Sequence, residues 1–203
     1  MVVPIILAAG ASRRMGTIKA LLDFDGNTCL ERVLVACRDG GAAPAIVVLG
    51  PEHDAVRSRV PLQGHRVVIN PDRERGQTSS LLVGLSVLPA DATGFLIFPV
   101  DHPLVTASQV RTLLQAFEQR PSGTDIVSYS VAGRRGHPIA VSTRLVPEFV
   151  ALPADGSARA VINAVPSRVF YIPSDDPGLV SDMDTPDDYK RLLEISRQAE
   201  SGH

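Results

Sequence analysis

The chain has 203 residues, 20 Lys plus Arg against 22 Asp plus Glu, a formal net charge of −2, 44% hydrophobic and only 4% aromatic residues, and two cysteines. A compact domain of this size buries roughly 70% of the surface its unfolded chain exposes, so its core needs neither a disulfide nor a structural metal. The balanced charge and the scarcity of aromatics argue against nucleic acid as a partner, and the uncharged stretches 1–12 and 76–90 are shorter than the ~18 apolar residues of a membrane span.

In chain order, an apolar run predicts a first strand over 2–7. Thr28 then opens a T-x-x-E capping box with Glu31, and Leu30, Val33, Leu34 and Cys37 recur at helical spacing until Gly40 and Gly41. A strand over 45–49, a helix over 52–59, a strand over 66–69, a helix over 79–88, a strand over 94–99 and a helix over 107–119 follow. Strands are expected at 125–130 and 139–142, helices at 145–152 and 158–164, and a strand at 169–172. The closing helix takes Thr185 as N-cap and Pro186 as its first residue, and residues 196–203 read as a frayed polar tail.

Strands alternating with amphipathic helices predict an α/β fold, here one domain over residues 1–203, a three-layer α/β/α Rossmann-like arrangement with a mostly parallel sheet. Runs such as IVVL and FLIF lack polar alternation, as expected of central strands covered on both faces. The apolar start has no Lys or Arg ahead of it and contains Pro4, unlike a secretory signal, so a cytoplasmic chain is expected. Cys29 and Cys37 lie about 12 Å apart on a helix at ~1.5 Å per residue, beyond the ~7 Å reach of a disulfide, and are expected to be free, partly buried thiols.

The first strand runs into Leu7, Ala8, Ala9, Gly10, Ala11, Ser12, Arg13, Arg14, Met15 and Gly16, with Lys19 beyond. Small residues let a backbone approach a ligand, successive N–H groups cradle phosphate, and Arg14 and Lys19 add positive charge where an open α/β sheet places its ligand. The spacing fits neither G-x-G-x-x-G nor the Walker A loop. On these residues alone, an ordinary βα turn with solvated arginines is equally open.

The whole string LAAGASRRMG-x-x-K resembles the signature of the MobA-like nucleotidyltransferases, within them the molybdenum cofactor cytidylyltransferase branch. Further similar segments are NPDRERGQTSSLLVG at 70–84, FPVDHPLV at 98–105, RGHP at 135–138 and SDMDTP at 181–186. The resemblance implies a fold of the nucleotide-diphospho-sugar transferase type and transfer of a nucleoside monophosphate from a triphosphate to a phosphorylated acceptor, with release of pyrophosphate. It implies that the loop from Leu7 to Gly16, with Asn70, Gly76 and Ser80, holds the nucleotide, and that Lys19, Arg14 and Asp101 are catalytic. His137 and Arg159 fall toward the acceptor. Ala8-Ala9-Gly10 is similar to the cytidylyl branch and so favours CTP over GTP, with molybdopterin as acceptor and a molybdoenzyme as client.

Asp101, at the end of an apolar strand, requires a cationic partner if buried, either a metal or a basic side chain. Asp182 and Asp184, two apart, share a face in an extended segment, although Asp184 also suits a helix start and Asp182 a solvated strand end. Read with the family, Asp101 and Asp184, joined by Asp182, are the expected ligands of Mg2+, a cation held by one or two carboxylates, waters and phosphate oxygens. No zinc spacing exists around His102 or His137, and His137 is either an acceptor-side hydrogen-bond donor or a turn residue. Arg73, Gln77 and Ser157 depart from the family's common residues, which leaves another small phosphorylated acceptor, such as a sugar phosphate, open. Guanylyl or adenylyl transfer and a noncatalytic cofactor-delivery module are the rival readings.

Overall fold

The computed structural model of the protein describes residues 1–10, 12, 14–42, 44–153 and 155–201. Its elements are β1 (Val2–Ala8), β2 (Asp23–Phe24), β3 (Asn27–Thr28), α1 (Cys29–Asp39), β4 (Ile46–Leu49), α2 (His53–Arg57), β5 (Arg66–Ile69), α3 (Gln77–Leu85) and β6 (Gly94–Pro99). There follow α4 (Ala107–Glu118), β7 (Ile126–Val131), β8 (Arg134–Arg135), β9 (Ile139–Ser142), α5 (Val146–Val150), α6 (Ala158–Ala164), β10 (Val169–Pro173) and α7 (Pro186–Ser201). The main sheet has the order β10-β7-β9-β6-β1-β4-β5, with β8 added to β7. β1 is parallel to β4 and β6, β4 to β5, and β7 to β10, whereas β9 is antiparallel to both its neighbours. The α/β, mostly parallel expectation is met.

Side chains alternate across the sheet, and both faces are buried. Ile6, Val47, Leu49, Leu96 and Phe98 pack with α1, α4 and α7 through Leu30, Val33, Val110, Leu113 and Leu192. On the other face, Ile5, Ile46, Val48, Phe95 and Ile97 pack with α3, α5 and α6 through Leu81, Leu85, Phe149 and Ile162. α3 lies so close to β1 that a Cβ on Gly84 would stand 2.4 Å from Ile5 Cγ2. No other residue fits there without displacement.

The chain passes from β1 to β4 and β5 on one side, then returns to β6 on the other. A parallel sheet that reverses its order in this way opens a crevice at the carboxyl ends of the two strands flanking the reversal, here β1 and β6.

Local signals explain most boundaries. Thr28 and Glu31 form the expected capping box, Thr28 Oγ1 accepting from Glu31 N at 3.2 Å and Glu31 Oε2 from Thr28 N at 2.7 Å. Thr185 caps α7 in the same manner with Asp188. Several details differ from expectation. α3 starts two residues early, because Gly76 at φ +82° makes the turn and Ser79 Oγ donates to the Gly76 carbonyl at 2.8 Å instead of capping. α2 and α5 are shorter than the spacing predicts. α7 runs on to Ser201, since no Gly or Pro stands before Gly202. Cys29 and Cys37 are free, as expected, but fully rather than partly buried, on the sheet-facing side of α1. No helix among the described residues is long and apolar enough to cross a membrane.

Candidate functional site

The crevice holds a cavity of about 330 Å³. Leu7, Ala8, Ala9, Gly10, Ser12 and Arg14 line it from the end of β1, Pro99, Val100 and Asp101 from the end of β6, and Gly76, Gln77 and Ser80 from the start of α3. The loop after β1 folds around Ser12, whose carbonyl accepts from Met15 N at 3.0 Å and Gly16 N at 3.1 Å. Ser12 Oγ also accepts from Lys19 N at 3.3 Å, which turns Lys19 back into the cavity.

There the Lys19 ammonium bridges two carboxylates from distant elements, donating to Asp184 Oδ1 at 2.7 Å and to Asp101 Oδ2 at 3.3 Å. Arg14 Nη2 donates to Asp184 Oδ2 at 2.7 Å. The Lys19 hydrogen bond, with Arg14 adding to it, holds the Asp184 carboxyl below the usual carboxylate range despite partial burial. Asp101 Oδ1 is buried without a hydrogen-bond partner. His102 Nε2 stands 3.8 Å from it, too far for a hydrogen bond. Burial drives His102 down to about 4, with the Lys19 charge adding to the effect, so the contact is not an ion pair at neutral pH.

Hard carboxylate oxygens, one of them orphaned, fit a divalent cation such as Mg2+ or Mn2+, with phosphate oxygens and water completing its shell. Asp101 and Asp184 are the two carboxylates of the cavity that could hold it. Asp182, unlike Asp184, is exposed and is not among the residues that line the cavity. Among the described residues no cluster of three or more His, Cys, Asp or Glu forms a closed metal site.

The remaining expected residues divide. Asn70 is fully buried and does not line the cavity; its amide donates to Ser79 Oγ and Ser80 Oγ at 2.9 Å each, so it positions the start of α3. Gly16 faces a neighbouring groove with Thr17, Glu52 and Arg73. Ala11 and Arg13 lie outside the described residues. His137 and Arg159 line a second cavity, of about 490 Å³, beside the first. The His137 and His102 ring centroids are 4.6 Å apart, and burial pushes His137 down to about 3. Unforeseen are Arg73, on the first cavity and paired with Glu52, and Arg135, Asn163 and Tyr171 in the second. Arg135 stands in the RGHP string, the one signal that could have marked it.

Residues 4–169 match the family described as MobA-like NTP transferase domain. Nicotine blue oxidoreductase of Paenarthrobacter nicotinovorans is 32% identical over 93% of this chain and 95% of its own length. Molybdenum cofactor guanylyltransferase of Xanthomonas euvesicatoria pv. vesicatoria is 32% identical over 57% of this chain and 55% of its own. The fold superposes on the crystal structure of Rv0371c from Mycobacterium tuberculosis H37Rv with a TM-score of 0.85 and 32% identity, covering 96% of this chain and 99% of that one. It also superposes on the manganese complex of that protein, with a TM-score of 0.77 and 30% identity over 95% and 97% of the two chains.

Proposed function

Since the chain belongs to the MobA-like NTP transferase domain family, we propose that it transfers CMP from CTP to the phosphate of a small acceptor of the molybdopterin type and releases pyrophosphate. The observation that carries this reading is the convergence of Lys19, Asp101, Asp184 and Arg14 on one cavity at the sheet's reversal point. An acceptor phosphate oxygen attacks the α-phosphorus in line as the bond to the pyrophosphate oxygen breaks. A phosphomonoester has a second pKa near ~6, so it arrives deprotonated and needs no general base. The buried, neutral His102 and His137 are consistent with that.

Lys19 and Arg14 move from the carboxylates to the phosphates, where they stabilise the charge that builds on the leaving group. Asp101 and Asp184 would hold Mg2+, which when bound neutralises charge between the α-phosphate and the pyrophosphate. Ala9, Gly10, Gly76 and Ser80 hold base and ribose. The Ala8-Ala9-Gly10 sequence favours cytosine; guanylyl transfer is the nearest alternative, given the guanylyltransferase relative. A molybdoenzyme receiving the product in the cytoplasm is the client this reading implies.

The test incubates the protein with Mg2+, each nucleoside triphosphate in turn and extracted molybdopterin, and measures pyrophosphate. Release with CTP alone is expected. Release with GTP alone reassigns the donor, and no release with any triphosphate overturns transfer to molybdopterin. A second reading rests on the oxidoreductase relative, which aligns over nearly its full length: the first cavity would then hold a nucleotide half of NADH or NADPH. Consumption of the reduced cofactor in the presence of a quinone-like dye distinguishes it.

A further inference from the structure

The second cavity shares only Gln77 with the first among the described lining residues. Its charged side chains are Arg134, Arg135 and Arg159, with no Asp or Glu among the described residues that line it. Arg134 Nη2 donates to the Val180 carbonyl at 3.1 Å. Arg135 is held differently. Its Nη1 and Nη2 each donate to Asn163 Oδ1 at 3.2 Å, and Nη2 also to the Tyr171 hydroxyl at 3.1 Å. Its Nε is buried and has no hydrogen-bond partner.

Both anchors are neutral oxygens. They fix the plane of the guanidinium and leave its charge uncompensated, whereas Arg168, elsewhere in the protein, pairs with the buried Asp125 carboxylate. Leaving a buried donor unsatisfied is unfavourable, and a planar guanidinium with free donors is the side chain best suited to an anionic oxygen pair. The cavity is also lined by the apolar side chains of Ile97, Ile139 and Ile162.

We propose that this cavity takes the ring system of the acceptor, and that Arg135, set by Asn163 and Tyr171, binds an anionic substituent of the acceptor other than the phosphate that attacks. The attacking phosphate has to reach Lys19 and Asp101, neither of which lines the second cavity, and Arg135 does not line the first. The acceptor therefore carries a second anionic group near its ring system besides the attacking phosphate, and Arg135 discriminates against one that lacks it. This inference rests on the transfer reading only in calling the ligand an acceptor.

The test titrates the full chain at neutral pH and constant ionic strength with 6-carboxypterin and with unsubstituted pterin, reading the fluorescence anisotropy of the pterin ring. The native protein is expected to bind the carboxylate at least tenfold more tightly. Arg135→Gln should abolish that preference, and so should Asn163→Asp, which keeps Arg135 but places a carboxylate against it; thermal melts by circular dichroism confirm that both variants fold. Lys19→Met should retain the preference. Equal affinity of the native protein for the two pterins, a preference that survives in folded Asn163→Asp, or one that disappears in Lys19→Met, would each overturn the assignment. The titration involves no turnover, so preference through Arg135 without pyrophosphate release from any triphosphate refutes transfer to molybdopterin and leaves the cavity assignment standing. Pyrophosphate release without the preference does the reverse.

Discussion

Lys19 Nζ and Asp184 Oδ1 meet at 2.7 Å across 165 residues of sequence, and the same ammonium reaches Asp101. Two carboxylates and two cations thus neutralise one another before any ligand arrives. A bare divalent cation entering this arrangement meets Lys19 and Arg14 as well as the aspartates, whereas one arriving with a triphosphate brings the anions to which both side chains can turn. Lys19→Met is therefore expected to bind Mn2+ in the absence of nucleotide about 10-fold more tightly than the native protein, equivalent to about 1.4 kcal/mol, as read by electron paramagnetic resonance. The same variant should lose about 10²–10³-fold in transfer rate. Unchanged Mn2+ affinity would show that the ammonium does not compete with the ion.

Acid should destabilise the protein through its two adjoining buried imidazoles. His102 and His137 are held near 4 and 3 by burial, below the ordinary value of about 6.5 for an exposed ring. Between those limits the unfolded chain binds protons that the folded chain does not, so stability is fully present above pH ~6.5 and falls as pH drops toward the folded values. Each ring contributes a slope of at most about 1.4 kcal/mol per pH unit. Urea denaturation of metal-free protein from pH 7 to pH 4.5 should show this loss, and His137→Asn should reduce the slope by about half. A slope unchanged by that substitution would count against a buried neutral ring at 137.

The tight approach of α3 to β1 makes Gly84→Ala a packing test. Its added Cβ would stand 2.4 Å from Ile5 Cγ2 and 3.3 Å from Val48 Cγ2. Overpacking of this kind costs about 1–3 kcal/mol, and alanine's better helix propensity returns at most about 1 kcal/mol. A net loss of stability is expected, with Tm lowered by about 2–4 °C per kcal/mol at this chain length. Because α3 also carries Gln77 and Ser80, the Michaelis constant for the nucleotide should rise. A variant melting at the native temperature would mean that the layer yields freely.

Both thiols should be inert in the folded state. Cys29 and Cys37 are buried, desolvation pushes Cys29 up to about 12 and Cys37 higher still, and only the thiolate reacts readily. Ellman's reagent should label neither until denaturant is added, after which both should react. Rapid labelling under native conditions would contradict the packing of α1 on the sheet.

The parts of the fold legible in sequence are those whose signal is local. The uninterrupted apolar runs of β4 and β6 mark buried parallel strands, and the Thr28–Glu31 pair marks the start of α1. The two-residue ladders β2, β3 and β8 are too short to carry a periodicity. The start of α3 falls two residues before the expected 79 because the positive φ of Gly76 makes the turn, a conformation the helical spacing does not mark. At the site, Lys19, Asp101 and Asp184 are legible because each follows a strand end or precedes a helix in a recognisable string. Asp182 stays beside Asp184 as a candidate because sequence spacing alone cannot tell which of two neighbouring carboxylates faces the cavity. Arg135 is opaque for a related reason: its meaning depends on Asn163 and Tyr171, 28 and 36 residues away, and on their being neutral.

Asp184 lies just ahead of α7, the last helix described, while its partner Lys19 directly follows the loop after the first strand. During synthesis on the ribosome, a nascent chain can pair β1 with β4 and β6 and shape most of the crevice long before the second carboxylate emerges. Such a partial product would expose Lys19 and Arg14 without their common counter-ion. Selective chemistry would begin only once Asp184 itself had left the exit tunnel.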